Sequence, residues 1–174
     1  QCCPLPTAYL STHTGGFEGY TFLDMTDEMP KVANHWASLD IRFDAIYSGF
    51  MGSERQMDIT EDFVRMFRRP GTLVVVDPVM GDHGRCYATY TPAMCAAMAN
   101  MAQQADVITP NLTEAAFLLG VPYEALSQDE AGCRSCVERL SLEGKRSVVL
   151  TGVSLEPGKI GAACFDASAG KTEF

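Results

Sequence analysis

The sequence predicts an α/β fold, a mostly parallel sheet covered by helices, and three observations carry the prediction. Apolar periodicity switches repeatedly between short strand-like runs and stretches at helical spacing. The run Leu73-Val74-Val75-Val76 follows Thr72 without alternation, as expected of a central strand covered on both faces. Polar clusters follow one predicted strand after another, which is where the connecting loops of a parallel sheet converge.

Taken in order, Thr7 to Ser11 is a short strand that feeds the turn His13-Thr14-Gly15-Gly16. Met25, Met29, Val32, Ala33, Trp36 and Leu39 then recur at helical spacing, with Asp24, Asp27 and Glu28 near the positive end of that helix. Asp44 to Ser48 is the next strand and ends in Ser48-Gly49-Phe50-Met51-Gly52-Ser53. A second helix turns Ile59, Phe63, Val64 and Phe67 inward and stops at Pro70-Gly71. Thr72 to Val76 runs into Asp77-Pro78-Val79-Met80-Gly81-Asp82, then a polar loop, then an Ala- and Met-rich helix from about Thr91 to Gln104. Met94, Met98 and Met101 on that helix suit core packing. Asp106 to Thr109 is a short strand closed by Pro110-Asn111, and Leu112 to Leu119 a brief helix ended by Gly120. Gln128 to Leu142 is helical, Ser147 to Thr151 is a strand, and Ile160 to Phe165 begins an antiparallel or edge strand.

Composition narrows the function. The 174 residues suit one domain, and 47% apolar with 20% charged residues is globular rather than disordered. No apolar stretch approaches the roughly 20 residues of a membrane span. A formal charge of −9 with scattered Lys and Arg excludes a broad nucleic-acid surface. The 7 cysteines are irregularly spaced, which reads as free thiols in a reducing cytoplasm. Cys133 and Cys136 have the gap of a zinc or redox pair, yet no second pair or nearby His completes a site. Gln1 is not an initiator Met, and the start resembles a cut into a longer chain. A P-loop, a Gly-x-Gly-x-x-Gly after a strand and a Gly-x-Ser-x-Gly elbow are all absent.

Chemistry is therefore expected where strand ends gather His13-Thr14, Ser48-Gly49, Asp77 and Asp82, Thr109 to Asn111, and Thr151-Gly152. Asp77 and Asp82 flank a tight loop, where two carboxylates hold a hard cation such as magnesium, unless Asp77 only accepts turn amides. Glu114 lies in the first turn of a helix, where it either caps the amides or points with Asn111 into the cleft to orient metal-bound water. His13 stands beside glycines that let backbone approach a ligand, whereas His35 and His83 read as ordinary helix and loop residues.

Four segments now form an ordered set: Ser11-Thr12-His13-Thr14-Gly15-Gly16, Tyr47-Ser48-Gly49-Phe50-Met51-Gly52-Ser53, Val76-Asp77-Pro78-Val79-Met80-Gly81-Asp82 and Ile108-Thr109-Pro110-Asn111-Leu112-Thr113-Glu114. They resemble the pyridoxal kinase branch of the ribokinase-like superfamily. The resemblance implies a three-layer, Rossmann-like, mostly parallel sheet with helices on both faces. It implies transfer of the γ-phosphoryl group of ATP to the 5′-hydroxyl of pyridoxal, pyridoxamine or pyridoxine, with Mg2+. Carried over by motif, His13, Thr14, Gly15 and Phe50 would meet the vitamer, Phe50 standing where the family usually has Tyr. Asp77, Asp82, Tyr87, Thr109, Asn111, Glu114 and Thr151 would meet ATP, and Asp77, Asp82 and Glu114 would serve the metal. Tyr87 or Tyr90 would belong to a lid.

The family's first strand, with a substrate-binding Ser, and its Gly-x-Gly-Asp segment, with the catalytic base, have no counterpart in this sequence. The expectation is a single incomplete kinase domain over residues 1–174, inactive alone, cytoplasmic, and a homodimer as the full-length protein. The alternatives are a hydroxymethylpyrimidine kinase and a non-catalytic protein that binds a B6 vitamer or nucleotide.

Overall fold

The computed structural model describes residues 2–12 and 17–174. Strands β1 (Ala8–Leu10) and β2 (Phe22–Asp24) form a separate antiparallel ribbon, with Ala8 opposite Asp24 and Leu10 opposite Phe22. Then come α1 (Met29–Ser38), β3 (Ala45–Ser48), α2 (Glu54–Phe67) and β4 (Leu73–Val76). A small hairpin of β5 (Gly81–Asp82) and β6 (Arg85–Cys86) precedes α3 (Pro92–Gln103), β7 (Val107–Ile108) and α4 (Leu112–Leu119). A 3₁₀ turn at Tyr123–Ala125, α5 (Glu130–Leu140), β8 (Ser147–Val153), β9 (Gly161–Asp166) and β10 (Lys171–Glu173) complete the chain. The main sheet has the order β10-β9-β8-β7-β4-β3. Strands β3, β4, β7 and β8 are parallel, and β9 and β10 are antiparallel additions.

Local chemistry sets the helix ends. Ser53, Thr91, Asn111 and Asp129 each accept a backbone N–H at the start of α2, α3, α4 and α5. Pro30 confines the start of α1 to the first turn around Met29, so Met25 lies ahead of the helix it was expected to join. Gly120 closes α4 at φ 64°, a left-handed position that glycine adopts without strain.

Each parallel crossover moves one strand further in the same direction, from β3 to β4, β7 and β8. Right-handed crossovers of that kind put their helices on the same face. Accordingly Val74, Val76, Ile108, Val148, Leu150 and Ala163 form one core with residues of α3, α4 and α5, while Ile46 packs with Phe63 and Phe67 of α2 and Ala33 of α1. Among the described residues the three-layer arrangement is thus represented by the sheet and one helical layer. This corrects the reading of Leu73–Val76: the strand is interior, between β3 and β7, but Leu73 is exposed and Val75 half-buried on the other face. Of the two readings of Ile160–Phe165, the structure selects the antiparallel one: β9 is antiparallel to β8 and paired on both sides, and β10 is the edge.

The ribbon of β1 and β2 is tied to α2 by the buried Gln56, whose Nε2 donates to Thr7 O, Asp24 Oδ1 and Thr26 Oγ1, and whose Oε1 accepts the Gly52 N–H. Among the described residues no helix is long and apolar enough to cross a membrane.

Candidate active site

Because β3, β4, β7 and β8 are parallel, Ser48, Asp77, Thr109 and Thr151 all emerge at one end of the sheet. The Asp77 N–H donates to Ser48 O at 2.9 Å, and Asn111 bridges to Thr151 on the neighbouring strand. Thr151 Oγ1 and N–H both donate to Pro110 O.

Asp77 is half-buried at the end of β4. Its Oδ2 accepts from Tyr47 Oη at 3.0 Å, and Thr109 also donates to the carboxylate. Burial raises the Asp77 pKa above the ordinary carboxylate value, and the Tyr47 and Thr109 hydrogen bonds oppose that shift.

Glu114 is only 3% exposed. Asn111 Oδ1 accepts the Glu114 N–H at 3.0 Å while Glu114 Oε2 accepts the Asn111 N–H at 2.9 Å, a reciprocal cap on α4. Glu114 Oε1 also accepts the Met80 N–H at 3.1 Å, and Asn111 Nδ2 donates to Gly81 O at 2.9 Å. Capping is therefore the observed role, and it extends beyond the helix to hold the loop after Asp77. The Gly81 amide also acts on the Glu114 carboxylate. Burial pushes the Glu114 pKa up to about 7, resisted by the Asn111 and Met80 amides and helped by the charge of Asp77.

Asp82 lies on β5, with its side chain more than half exposed and its Oδ1 accepting the His83 N–H. His83 and Gly84 both have positive φ, at 49° and 75°, so the hairpin closes through a two-residue turn where the sequence suggested only a polar loop. Tyr87 follows the hairpin and is anchored by its N–H to Met80 O. Its phenol pKa is raised, first by burial and then by the charges of Glu114, Asp82 and Asp77. Tyr90 is 7% exposed and packs in the core with Met51 and Met94, leaving Tyr87 as the accessible ring of the two.

Phe50 is half-buried and its carbonyl accepts from Thr7 Oγ1 at 3.1 Å, linking it to the ribbon. It lines a groove of about 650 Å³ beside β3 that also touches Tyr47, Ser48 and Gly49, while Asp77, Asn111, Glu114 and Thr151 do not line it. His13, Thr14 and Gly15 lie outside the described residues. His83 is exposed beside Asp82, as expected of a loop His.

Among the described residues no three His, Cys, Asp or Glu side chains gather into a metal cage. Asp77, Asp82 and Glu114 offer oxygen only, which suits a hard cation that takes one or two carboxylates and completes its shell with phosphate oxygens and water. Tyr47 opens the second of the four segments, yet no role was expected of it; strand alternation sets it between the buried Ile46 and Ser48, on the open face.

Residues 6–172 match the phosphomethylpyrimidine kinase family. The pyridoxal kinase of Deinococcus radiodurans is 38% identical over 112 residues, which is 62% of this chain and 37% of that protein. A Bacteroides thetaiotaomicron protein assigned as a phosphomethylpyrimidine kinase, crystallised with pyridoxal, is 42% identical with a TM-score of 0.88, over 98% of this chain and 59% of its own. Pyridoxal kinase from Lactobacillus plantarum is 33% identical with a TM-score of 0.81, over 97% of this chain and 58% of its own. The chain thus spans well under two thirds of the relatives it matches.

Proposed function

Because the chain belongs to the phosphomethylpyrimidine kinase family, with the ribokinase-like fold, we propose that it forms part of a single kinase domain that transfers the γ-phosphoryl group of ATP to the 5′-hydroxyl of pyridoxal, pyridoxamine or pyridoxine. The observation that carries this reading is the placement of Asp77 at the carboxyl end of β4, with Glu114 bonded to the amides of Met80 in the loop that follows and of Asn111 beyond β7, at the end of the sheet where the loops of such folds receive phosphates. The similarity to proteins named pyridoxal kinase favours the B6 vitamers.

In this reading Phe50 stacks on the pyridine ring, and the segment His13-Thr14-Gly15 meets its substituents. Asp77 and Asp82 would hold Mg2+ beside the nucleotide phosphates, and Asn111 with Glu114 would orient the ion and its waters. When bound, the ion neutralises charge on the transferring phosphoryl group. Thr109, Asn111 and Thr151 line the phosphate side with backbone and side-chain polar groups, and Tyr87 covers it. Such a transfer depends on positioning and charge neutralisation more than on covalent help. The sequence contains no Gly-x-Gly-Asp, so none of the 174 residues is given the role of the base. The protein is assigned to the cytoplasm, with a homodimer as its full-length form.

The test is magnesium-dependent ADP release by the complete natural protein that carries these residues, offered the three vitamers and hydroxymethylpyrimidine in parallel. Turnover of the vitamers that falls at least 100-fold in Asp77→Ala supports the proposal. Silence with all four compounds despite ATP binding overturns it in favour of a binding role. Turnover of the pyrimidine alone would select the second reading, a hydroxymethylpyrimidine kinase, which the description of the matching family favours.

A further inference from the structure

Two thiols touch at the rim of the proposed nucleotide site. Cys86 Sγ, on β6, lies 3.6 Å from Cys95 Sγ, which is in the first turns of α3. Cys86 is exposed and Cys95 half-buried, so a small reagent reaches the first directly. Between them run Tyr87, Tyr90 and Thr91, the last of which caps α3. No other thiols of the chain share this arrangement among the described residues: Cys133 and Cys136 are both buried on α5, Cys164 is on β9, and Cys2 and Cys3 are chain neighbours.

A disulfide needs its sulfurs about 2.05 Å apart, so the pair must close by roughly 1.5 Å, within reach of side-chain rotation at an exposed two-residue strand. We propose that Cys86 and Cys95 form a dithiol–disulfide couple that exchanges with low-molecular-weight disulfides and, when oxidised, ties the β5–β6 hairpin to α3.

The exchange balances with glutathione disulfide as the oxidant. The Cys86 thiolate attacks one glutathione sulfur, breaking the S–S bond and expelling a glutathione thiolate. Cys95 then loses its proton and attacks Cys86 Sγ, forming the protein disulfide and expelling the second glutathione thiolate. Two protein thiols are oxidised, one glutathione disulfide is reduced to two thiols, and the two protons end on glutathione. Cys86 is the exposed sulfur and so attacks first, while the half-buried Cys95, whose thiol is pushed up to about 11 by burial and the neighbouring Cys86 sulfur, resolves.

The hairpin that would be tied is already bound to α4, through Gly84 N–H to Thr113 Oγ1 at 2.8 Å and Asn111 Nδ2 to Gly81 O at 2.9 Å. Oxidation therefore fixes the turn that carries Tyr87 between two helices. Any consequence for nucleotide binding rests on the kinase proposal, whereas the couple itself does not.

The experiment treats the protein with glutathione disulfide, blocks remaining thiols, digests it and maps linkages by mass spectrometry. The expected product is one cross-link joining Cys86 to Cys95, two hydrogens lighter and reversed by dithiothreitol. In Cys95→Ser the expected product is glutathione held on Cys86. Limited proteolysis within residues 87–91 should slow at least threefold on oxidation, and not in Cys86→Ser. A stable glutathione adduct on Cys86 of the unmodified sequence, or preferential cross-linking of any other pair, overturns the proposal. Because the readout is a mass, a failed kinase assignment leaves it intact.

Discussion

Replacing Glu114 with Gln removes one titration from a buried position, and the structure fixes the sign of the effect. The Glu114 pKa is pushed from 4.5 up to about 7, chiefly by burial. A carboxyl whose folded pKa lies above its unfolded value binds its proton more tightly in the native state, so its stabilising contribution is full below about pH 4.5. That contribution is lost as pH rises through about 7. At about 1.4 kcal/mol per pH unit, the interval amounts to on the order of 3 kcal/mol. Gln cannot titrate, so this part of the pH dependence should vanish. Gln also turns an amide donor towards the N–H of Met80 or Asn111, leaving a buried group unpaired at about 1–3 kcal/mol. The assay is urea unfolding of both proteins at pH 5 and pH 7.5. Glu114→Gln should start less stable at pH 5, and the unsubstituted protein should then lose about 2–3 kcal/mol more than the variant on moving to pH 7.5. Asp77, also raised by burial, titrates in both proteins and largely cancels in the comparison. Parallel pH profiles would refute the reasoning, since they would mean that the two amides keep Glu114 ionised at pH 5 against its burial.

Two further substitutions probe the surrounding frame. A Cβ at Gly81 would lie 2.2 Å from Arg85 O and 2.9 Å from Cys86 Cα, both backbone atoms that cannot rotate away. Gly81→Ala should therefore open the β5–β6 hairpin at a cost on the order of 2 kcal/mol in denaturant unfolding, and release hydrogen-exchange protection at the Tyr87 N–H. Tyr47→Phe removes a hydrogen bond that lowers the Asp77 pKa, so that pKa should rise further in a carbon NMR titration, with stability changed by less than about 0.5 kcal/mol because Tyr47 is exposed. An unmoved Asp77 titration would show that the phenol does not restrain the carboxylate.

The strand ends were legible because their signal is local: a β-forming run followed by a polar cluster marks both the strand and the edge where ligands gather. Asn111 and Glu114 were legible for the same reason, as a capping pair three residues apart. The ribbon strand β2 was not, since Phe22, Leu23 and Asp24 are all exposed and leave no alternation to read. The hairpin was hidden because His83-Gly84 lacks the Asn-Gly or Asp-Gly signature of its turn. Whether Leu73–Val76 is covered on one face or two depends on the direction of successive crossovers, which no local run of apolar residues records. Tyr47 meets Asp77 across 30 residues, through the pairing of Tyr47 with Val75, and that register exists only once the sheet is assembled.

The contacts around the proposed site divide into two kinds. On the proposed phosphate side, the loop from Met80 to Gly81, Asn111 and Glu114 are joined through buried and half-buried hydrogen bonds, so displacing any one member leaves another unpaired. On the proposed vitamer side, Phe50 is held through Thr7, and Thr7 through Gln56, to a ribbon of two three-residue strands with no share in the main sheet. Side chains on the ribbon and at Phe50 can thus change without breaking the contacts that hold the Met80–Gly81 loop to Asn111 and Glu114. If the kinase proposal holds, substitutions at Phe50 should alter the choice between pyridine and pyrimidine substrates while leaving ATP affinity within about twofold. Substitutions at Asn111 should do the reverse, because its side chain holds both the start of α4 and the carbonyl of Gly81.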